Sequence, residues 1–193
     1  MILETIVTSQ SPDGTIHLAP MGVHMVEDEL VIMPFFPSTT LDNILATRHA
    51  VLNHTDDVRV FADCVTGHRR DWLLVDAAHI PGKRLAGCLA HVELTLNRMD
   101  EDELRPSLYC HVVHEAHHAP FKGFNRAQFS VLEASILVSR LHMLPWNKVQ
   151  AELDYLRIGV EKCAGERELE AWGWLMEKVE EFKSSHNLTE KPS

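Results

Sequence analysis

Apolar and polar positions alternate from the first residue. "MILETIVT" at 1–8 and "TIHLAPMGVHM" at 15–25 are rich in β-branched and apolar types, and "SPDG" at 11–14 supplies a Pro and an Asp-Gly for a turn between them. This pattern predicts a β-hairpin. "ELVIMPFF" at 29–36 reads as a third strand, in which Pro34 marks an edge or irregular position where one backbone donor is dispensable.

The period then changes. In "STTLDNILATRH", Leu41, Ile44 and Leu45 fall at helical spacing behind a Ser/Thr cluster suited to an N-cap. "AVLNHT" at 50–55 returns to strand, "DDVRVFADCV" fits a short helix, and "DWLLVDAA" at 71–78 fits either state. "RLAGCLAHVELTLNRM" and "LRPSLYCHVVHE" read as long strands with apolar residues on both faces, the mark of a curled or closed sheet.

From Asn125 onward the pattern is helical. "NRAQFSVLEASILVSRLHML" carries Phe129, Leu132, Ile136, Leu137 and Leu141 on one stripe. Pro145 interrupts it, and two more amphipathic helices follow, "NKVQAELDYLRIGVEKC" and "ERELEAWGWLMEKVEEF", punctuated by Gly165. Trp172 and Trp174 read as anchors of the last helix, and the polar tail "SSHNLTEKPS" as frayed. With no repeat or low-complexity linker, the expected organisation is a β core over 1–124 with a helical extension over 125–186 packed on it.

The length of 193 residues and a hydrophobic share of 45% suit a folded globular chain. A formal charge of −10 opposes attraction to nucleic acid or anionic lipid and favours a small-molecule ligand. No apolar run reaches the length of a membrane span and the N-terminus lacks signal-peptide character, so the expectation is a cytoplasmic protein with no membrane or nucleic-acid partner. The four cysteines are widely spaced, without a C-x-x-C pair, and read as reduced thiols.

Within "HVVHEAHHAPF" at 111–121, His114-Glu115-Ala116-His117-His118 matches the zinc-hydrolase pattern H-E-x-x-H. That chemistry needs a helix, which brings both histidines to one face with the Glu as general base. The surrounding alternation and Pro120 predict a strand end instead, where residues four apart are separated by about 13 Å and cannot share one zinc. The expected metal set is therefore none.

Three further pieces carry candidate ligand chemistry. In "LAPMGVHM", Pro20 and Gly22 sit inside a strand, where either a bulge or close approach of a flat ligand would account for them. In "PSTTLDNI", the hydroxyls of Ser38, Thr39 and Thr40 at a helix start combine with unpaired amides and the helix dipole into a potential phosphate site; simple N-capping is the alternative. In "VLNHTDD", Asn53 could offer an amide to a heterocycle or serve only a turn.

In this order the pieces resemble the FMN-binding split β-barrel superfamily, which includes flavin reductases and pyridoxamine phosphate oxidases, and within it the DUF447 family. "PFKGFNRAQFSVLEASILVSRLHML" is similar to that family as well, so the resemblance spans roughly residues 3–143. It implies a six-stranded antiparallel Greek-key split barrel with a C-terminal helical extension, forming a homodimer with FMN at the interface. By position, Ser38, Thr39, Thr40 and Asn43 would hold the phosphate and ribityl chain. Backbone at Pro20, Met21 and Gly22 would face the isoalloxazine, with Asn53 at its polar edge and His114 approaching it. The helix start lacks the Lys or Arg that many split barrels place at the phosphate; Arg48, Lys122 and Arg126 are the candidates from elsewhere. The implied function is an FMN-dependent oxidoreductase of unknown substrate, with a link to methanopterin-dependent one-carbon metabolism. A non-catalytic flavin-binding protein is the alternative, and a zinc hydrolase the remote one. The cofactor would carry the redox chemistry, so no acid or base of the chain is singled out as catalytic.

Overall fold

A computed structural model describes residues 1–69 and 71–186, so residues 187–193 of the polar tail lie outside the described residues. The hairpin forms as β1 (Ile2–Gln10) and β2 (Ile16–Val26), in register from Ile2↔His24 to Gln10↔Ile16. Asp13 organises its turn by accepting from the Ser11 hydroxyl at 2.5 Å and the Thr15 amide at 2.9 Å. These bonds, Ser11 foremost, draw its pKa down to about 2.

β3 (Glu29–Ile32) is shorter than its apolar run and stops two residues before Pro34, which has no amide to give a ladder. Next come α1 (Thr39–Thr47), β4 (His49–His54) and α2 (Arg59–Thr66). The ambiguous "DWLLVDAA" contributes β5 (Leu74–Asp76). The long strand expected over "RLAGCLAHVELTLNRM" is two strands: β6 (Lys83–Leu85) pairs with β5, a turn spans Ala86 and Gly87, and β7 (Ala90–Asp100) follows. The break is masked in the sequence because Leu85, Cys88 and Ala90 on either side of it are all apolar and buried, and apolar character alone cannot report where pairing stops. β8 (Ser107–His117) completes the sheet.

β1, β2, β3, β8, β7 and β4 close in that order into an antiparallel barrel, with β1 meeting β4 from Ile6↔Asn53 to Thr8↔Val51. Inside it pack Val7, Val23, Leu52, Val92, Leu94, Leu96 and Leu108, with Leu41 and Ile44 of α1 joining the same core. β3 pairs with β2 only at His24–Val26, so Pro20 lies on a stretch of β2 that β3 leaves unpaired and its missing donor costs the ladder nothing on that side.

The chain divides into two compact units, the barrel with its β5–β6 hairpin (Met1–Asp56 and Asp71–Phe121) and a helical unit. The helical unit combines α2 with α3 (Arg126–Ser139), α4 (Trp146–Cys163) and α5 (Glu166–Ser185). Glu168 starts α5 by accepting the Gly165 amide at 2.9 Å, and Trp174 is buried in the helical core beside partly buried Trp172.

α3 is rotated from the stripe its largest residues suggest. Ala127, Ser130, Val131, Ala134, Leu137 and Val138 are buried, whereas Phe129 is 52% exposed. Gly159 of α4 explains the choice: a Cβ there would collide with Ser130 Oγ and lie 3.1 Å from the Arg126 carbonyl. Small residues face the crossing because the two helices approach closely.

Candidate functional site

Two places on the barrel unit hold the chemistry. The first is the start of α1. Ser38 caps the helix, its Oγ accepting the Leu41 amide at 3.3 Å, and the Asp42 amide takes the Ser38 carbonyl at 3.1 Å. The Thr39 and Thr40 amides precede the Asp42 amide, the first donor of the helical ladder, so they point out of the end of α1 with the positive end of its dipole. Thr39 is exposed and Thr40 is buried. Asn43 is buried too, and its Nδ2 donates to Ser9 Oγ at 3.1 Å, which ties α1 to β1.

The first turn of α1 carries no Lys or Arg of its own. Arg48 sits at the C-cap, a helix length of about 13 Å away, where its Nη2 donates to the Leu96 and Asn97 carbonyls. Arg126 contacts Cys163 Sγ at 3.3 Å within the helical unit. Asp42 instead adds a negative charge in the first turn. Beside α1, a groove of about 570 Å³ is lined by Phe36, Leu41, Leu45, Met99 and Pro106 and rimmed by Glu101, Asp102 and Glu103. Its acidic rim makes it a poor place for a phosphate.

Asn53 stands elsewhere, as a brace. Its side chain is fully buried on the outer face of β4; Nδ2 donates to the Ile6 carbonyl at 3.0 Å and to Thr8 Oγ1 at 2.7 Å, and Oδ1 accepts the Leu85 amide at 2.7 Å. The amide offered to a heterocycle in the sequence reading is thus engaged at both ends. Gly22 has a packing reason of its own. It pairs with Glu4, and a Cβ there would meet Ile2 Cγ2 at 2.9 Å and Glu4 Oε1 at 3.3 Å, so the glycine makes room for cross-strand neighbours. Met21 pairs with Thr5 and exposed Pro20 with Ile6.

The second place is built around His114. The H-E-x-x-H letters run from β8 to His118, the residue just after it, and not along a helix, and Glu115 is an exposed strand residue. Leu94 pairs with Val112 and Glu93 with His114, so Val113 is an extra residue, a β-bulge that reverses the phase of β8. The bulge turns His114 to the outer face, opposite Glu93, where uninterrupted alternation would have put Val113. His91, two residues from Glu93, shares that face.

Glu93 is fully buried. Its Oε1 accepts the Ala78 amide at 2.6 Å, and its Oε2 accepts the amides of His79 at 2.8 Å and Ile80 at 3.1 Å. Burial pushes this carboxyl up, but the Ala78 amide, His91 and the His79 amide outweigh it and hold the group below the ordinary carboxylate range. His91 Nε2 lies 3.0 Å from Glu93 Oε1, and His91 Nδ1 lies 2.9 Å from His118 Nε2. Burial, Arg84 and the neighbouring histidines lower the pKa of His118. The His79 ring packs against His114 with centroids 4.3 Å apart. Sequence reasoning singled out His114 here and missed His79, His91 and Glu93. The legible signal was the His-x-Glu pair at 91 and 93, which shares a face on any strand.

A closed six-stranded antiparallel barrel with a Greek-key strand order is the split-barrel class of fold. Family models described as "Protein of unknown function (DUF447)" match the chain, the N-terminal domain over residues 3–119 and a second over residues 125–177. The chain belongs to the DUF447 family. An FMN-bound protein of this family from Methanosarcina mazei has a similar crystal structure, with a TM-score of 0.79, 18% identity and coverage of 92% of this chain and 94% of that one. The 2-nitrobenzoate 2-nitroreductase of Pseudomonas fluorescens is similar over 60% of this chain and 64% of its own, at 21% identity and a TM-score of 0.52. A flavoredoxin from Methanosarcina acetivorans is similar over 61% and 69%, at 14% identity and a TM-score of 0.53. No curated protein matches the sequence. Among the described residues no helix is long and apolar enough to cross a membrane.

Proposed function

We propose that this protein binds FMN and is an oxidoreductase that uses it. The observation that carries the reading is the first turn of α1, where the Ser38 and Thr39 side chains and the Thr39 and Thr40 amides converge on a helix N-terminus. A phosphate monoester is the ligand such an end fits. The FMN-bound relative, which matches nearly the whole chain, supports the same reading.

In this reading Thr39, with the two leading amides, holds the phosphate, while Ser38 keeps the helix end formed. Asn43 fixes α1 against β1 through Ser9 and so sets where the phosphate rests. When bound, FMN supplies one- and two-electron transfer; the protein supplies orientation and shielding from water. Exposed Phe35, Phe36, Val112 and Val113 support a second copy of the chain as the partner that covers the barrel. Sedimentation should then give a dimer.

The visible spectrum of the purified protein, with flavin released on denaturation, is the test: one FMN per chain is expected. A colourless protein that takes up no added FMN would overturn the reading. Turnover with NADH, NADPH or a reduced pterin separates an oxidoreductase, and its pterin-linked form, from a protein that only binds flavin.

A further inference from the structure

We propose that His91, Glu93 and His114 form a binding site for one divalent transition-metal ion, with His118 orienting His91 from behind. The ligand atoms of the three residues lie within 4.8 Å of one another. Two ligands of one tetrahedral Zn²⁺ ion lie about 3.4 Å apart at ordinary bond lengths, so partly exposed His114 has to turn inward by about an ångström to close the set.

Lone pairs argue for a cation at this point. Three backbone amides occupy both oxygens of Glu93, and the remaining direction of Oε1 faces His91 Nε2 at 3.0 Å. Among the described residues, His91 is the sole ion-pair partner of this fully buried carboxylate. Two lone pairs cannot face each other at that distance, so a proton or a metal ion belongs between them.

His118 serves either occupant. With a proton on His91 Nε2, His118 Nε2 donates to His91 Nδ1; with a metal on Nε2, the proton moves to Nδ1 and is donated to His118 across the same 2.9 Å. Metal-ligating histidines have their far N–H held by an outer acceptor that fixes tautomer and ring orientation, and here the His118 ring fills that role. His79 braces His114 through its ring and Glu93 through its amide, so both ligands are held by the same loop. Two imidazoles and one carboxylate suit Zn²⁺ or Fe²⁺ with coordination positions left open.

The test uses the full chain, free of any affinity tag, treated with chelator and titrated with Zn²⁺ by equilibrium dialysis. One zinc per chain is expected, with a rise in Tm. His114→Ala should remove the stoichiometric site while the apo Tm stays that of the parent, and His118→Ala should weaken zinc roughly 10–100-fold. No saturable binding, or a His114→Ala protein that binds as tightly as the parent through surface histidines such as His111 and His117, would overturn the proposal. A proton alone would then sit between His91 and Glu93.

Discussion

Asn53 Oδ1 accepts the Leu85 amide at 2.7 Å, and this bond ties the β5–β6 hairpin to the outer face of β4. Glu93 does the same one strand over, for the Ala78–Ile80 amides. Both are buried polar residues that satisfy backbone amides of the same hairpin, which makes them costly to remove.

Replacing Asn53 by Ala strands the Leu85 donor and the Ile6 acceptor in a dry interface. The expected loss is about 3 kcal/mol, at the upper end for unsatisfied buried groups. Urea denaturation with an unchanged m-value measures it; a loss under about 0.5 kcal/mol, within the range of ordinary surface changes, would show that the amide is no brace.

Thr39 is exposed at the start of α1, so Thr39→Ala should leave Tm unaltered. FMN affinity should fall about tenfold, the worth of one hydrogen bond to a charged group. Thr40 is buried, and a Thr40→Ala variant should lose stability as well. Equal FMN affinity in the parent and Thr39→Ala would move the phosphate elsewhere.

Asp42 is exposed in the first turn of α1 and opposes a bound dianion, so Asp42→Asn should tighten FMN several-fold, more at low salt. The same change removes a favourable interaction with the helix dipole and should lower apo stability by about 0.5 kcal/mol. Opposite signs in the two measurements are the signature; weaker FMN binding would mean that Asp42 contacts the cofactor favourably.

Gly159→Ala should destabilise the helical unit by about 2 kcal/mol through overpacking, because the new Cβ meets Ser130 Oγ and the Arg126 carbonyl. Adding Ser130→Ala should restore part of the loss, since only the side-chain clash is relieved. Strictly additive effects in the double-mutant cycle would contradict the close crossing.

Burial pushes the Cys110 thiol to about 12, with Glu29 adding to it, and the residue is 1% exposed. The thiolate is the reactive form, so at pH 8 only about one part in ten thousand is available. Labelling of Cys110 by a disulfide reagent should therefore follow global unfolding in denaturant; rapid labelling of native protein would place it at the surface.

Local chemistry was legible without tertiary information. The N-cap at Ser38 depends on residues within one turn, and the Asp13 turn on the five successive residues Ser11 to Thr15, so their letters sufficed. The same holds for the strand at His114: Pro120 and the flanking alternation favoured a strand end over a zincin helix, and β8 is that strand. Pairing limits were less legible. In "RLAGCLAHVELTLNRM" the point where Leu85 leaves β5 and Ala90 joins β4 is hidden, because buried Leu85, Cys88 and Ala90 surround a turn of only two residues, Ala86 and Gly87.

By itself, then, the amino-acid sequence determined the kinds of element, their order, the helix start fit for a phosphate and the family. Periodicity and capping are properties of neighbouring residues. Tertiary structure alone decided which side chains meet. The bulge at Val113 reverses the face of one strand and brings His114 to Glu93 and His91, and the hairpin loop supplies the amides that keep Glu93 charged in a buried place. Such meetings depend on register between strands far apart in the chain, and a shift of one residue in that register sends a side chain to the opposite face.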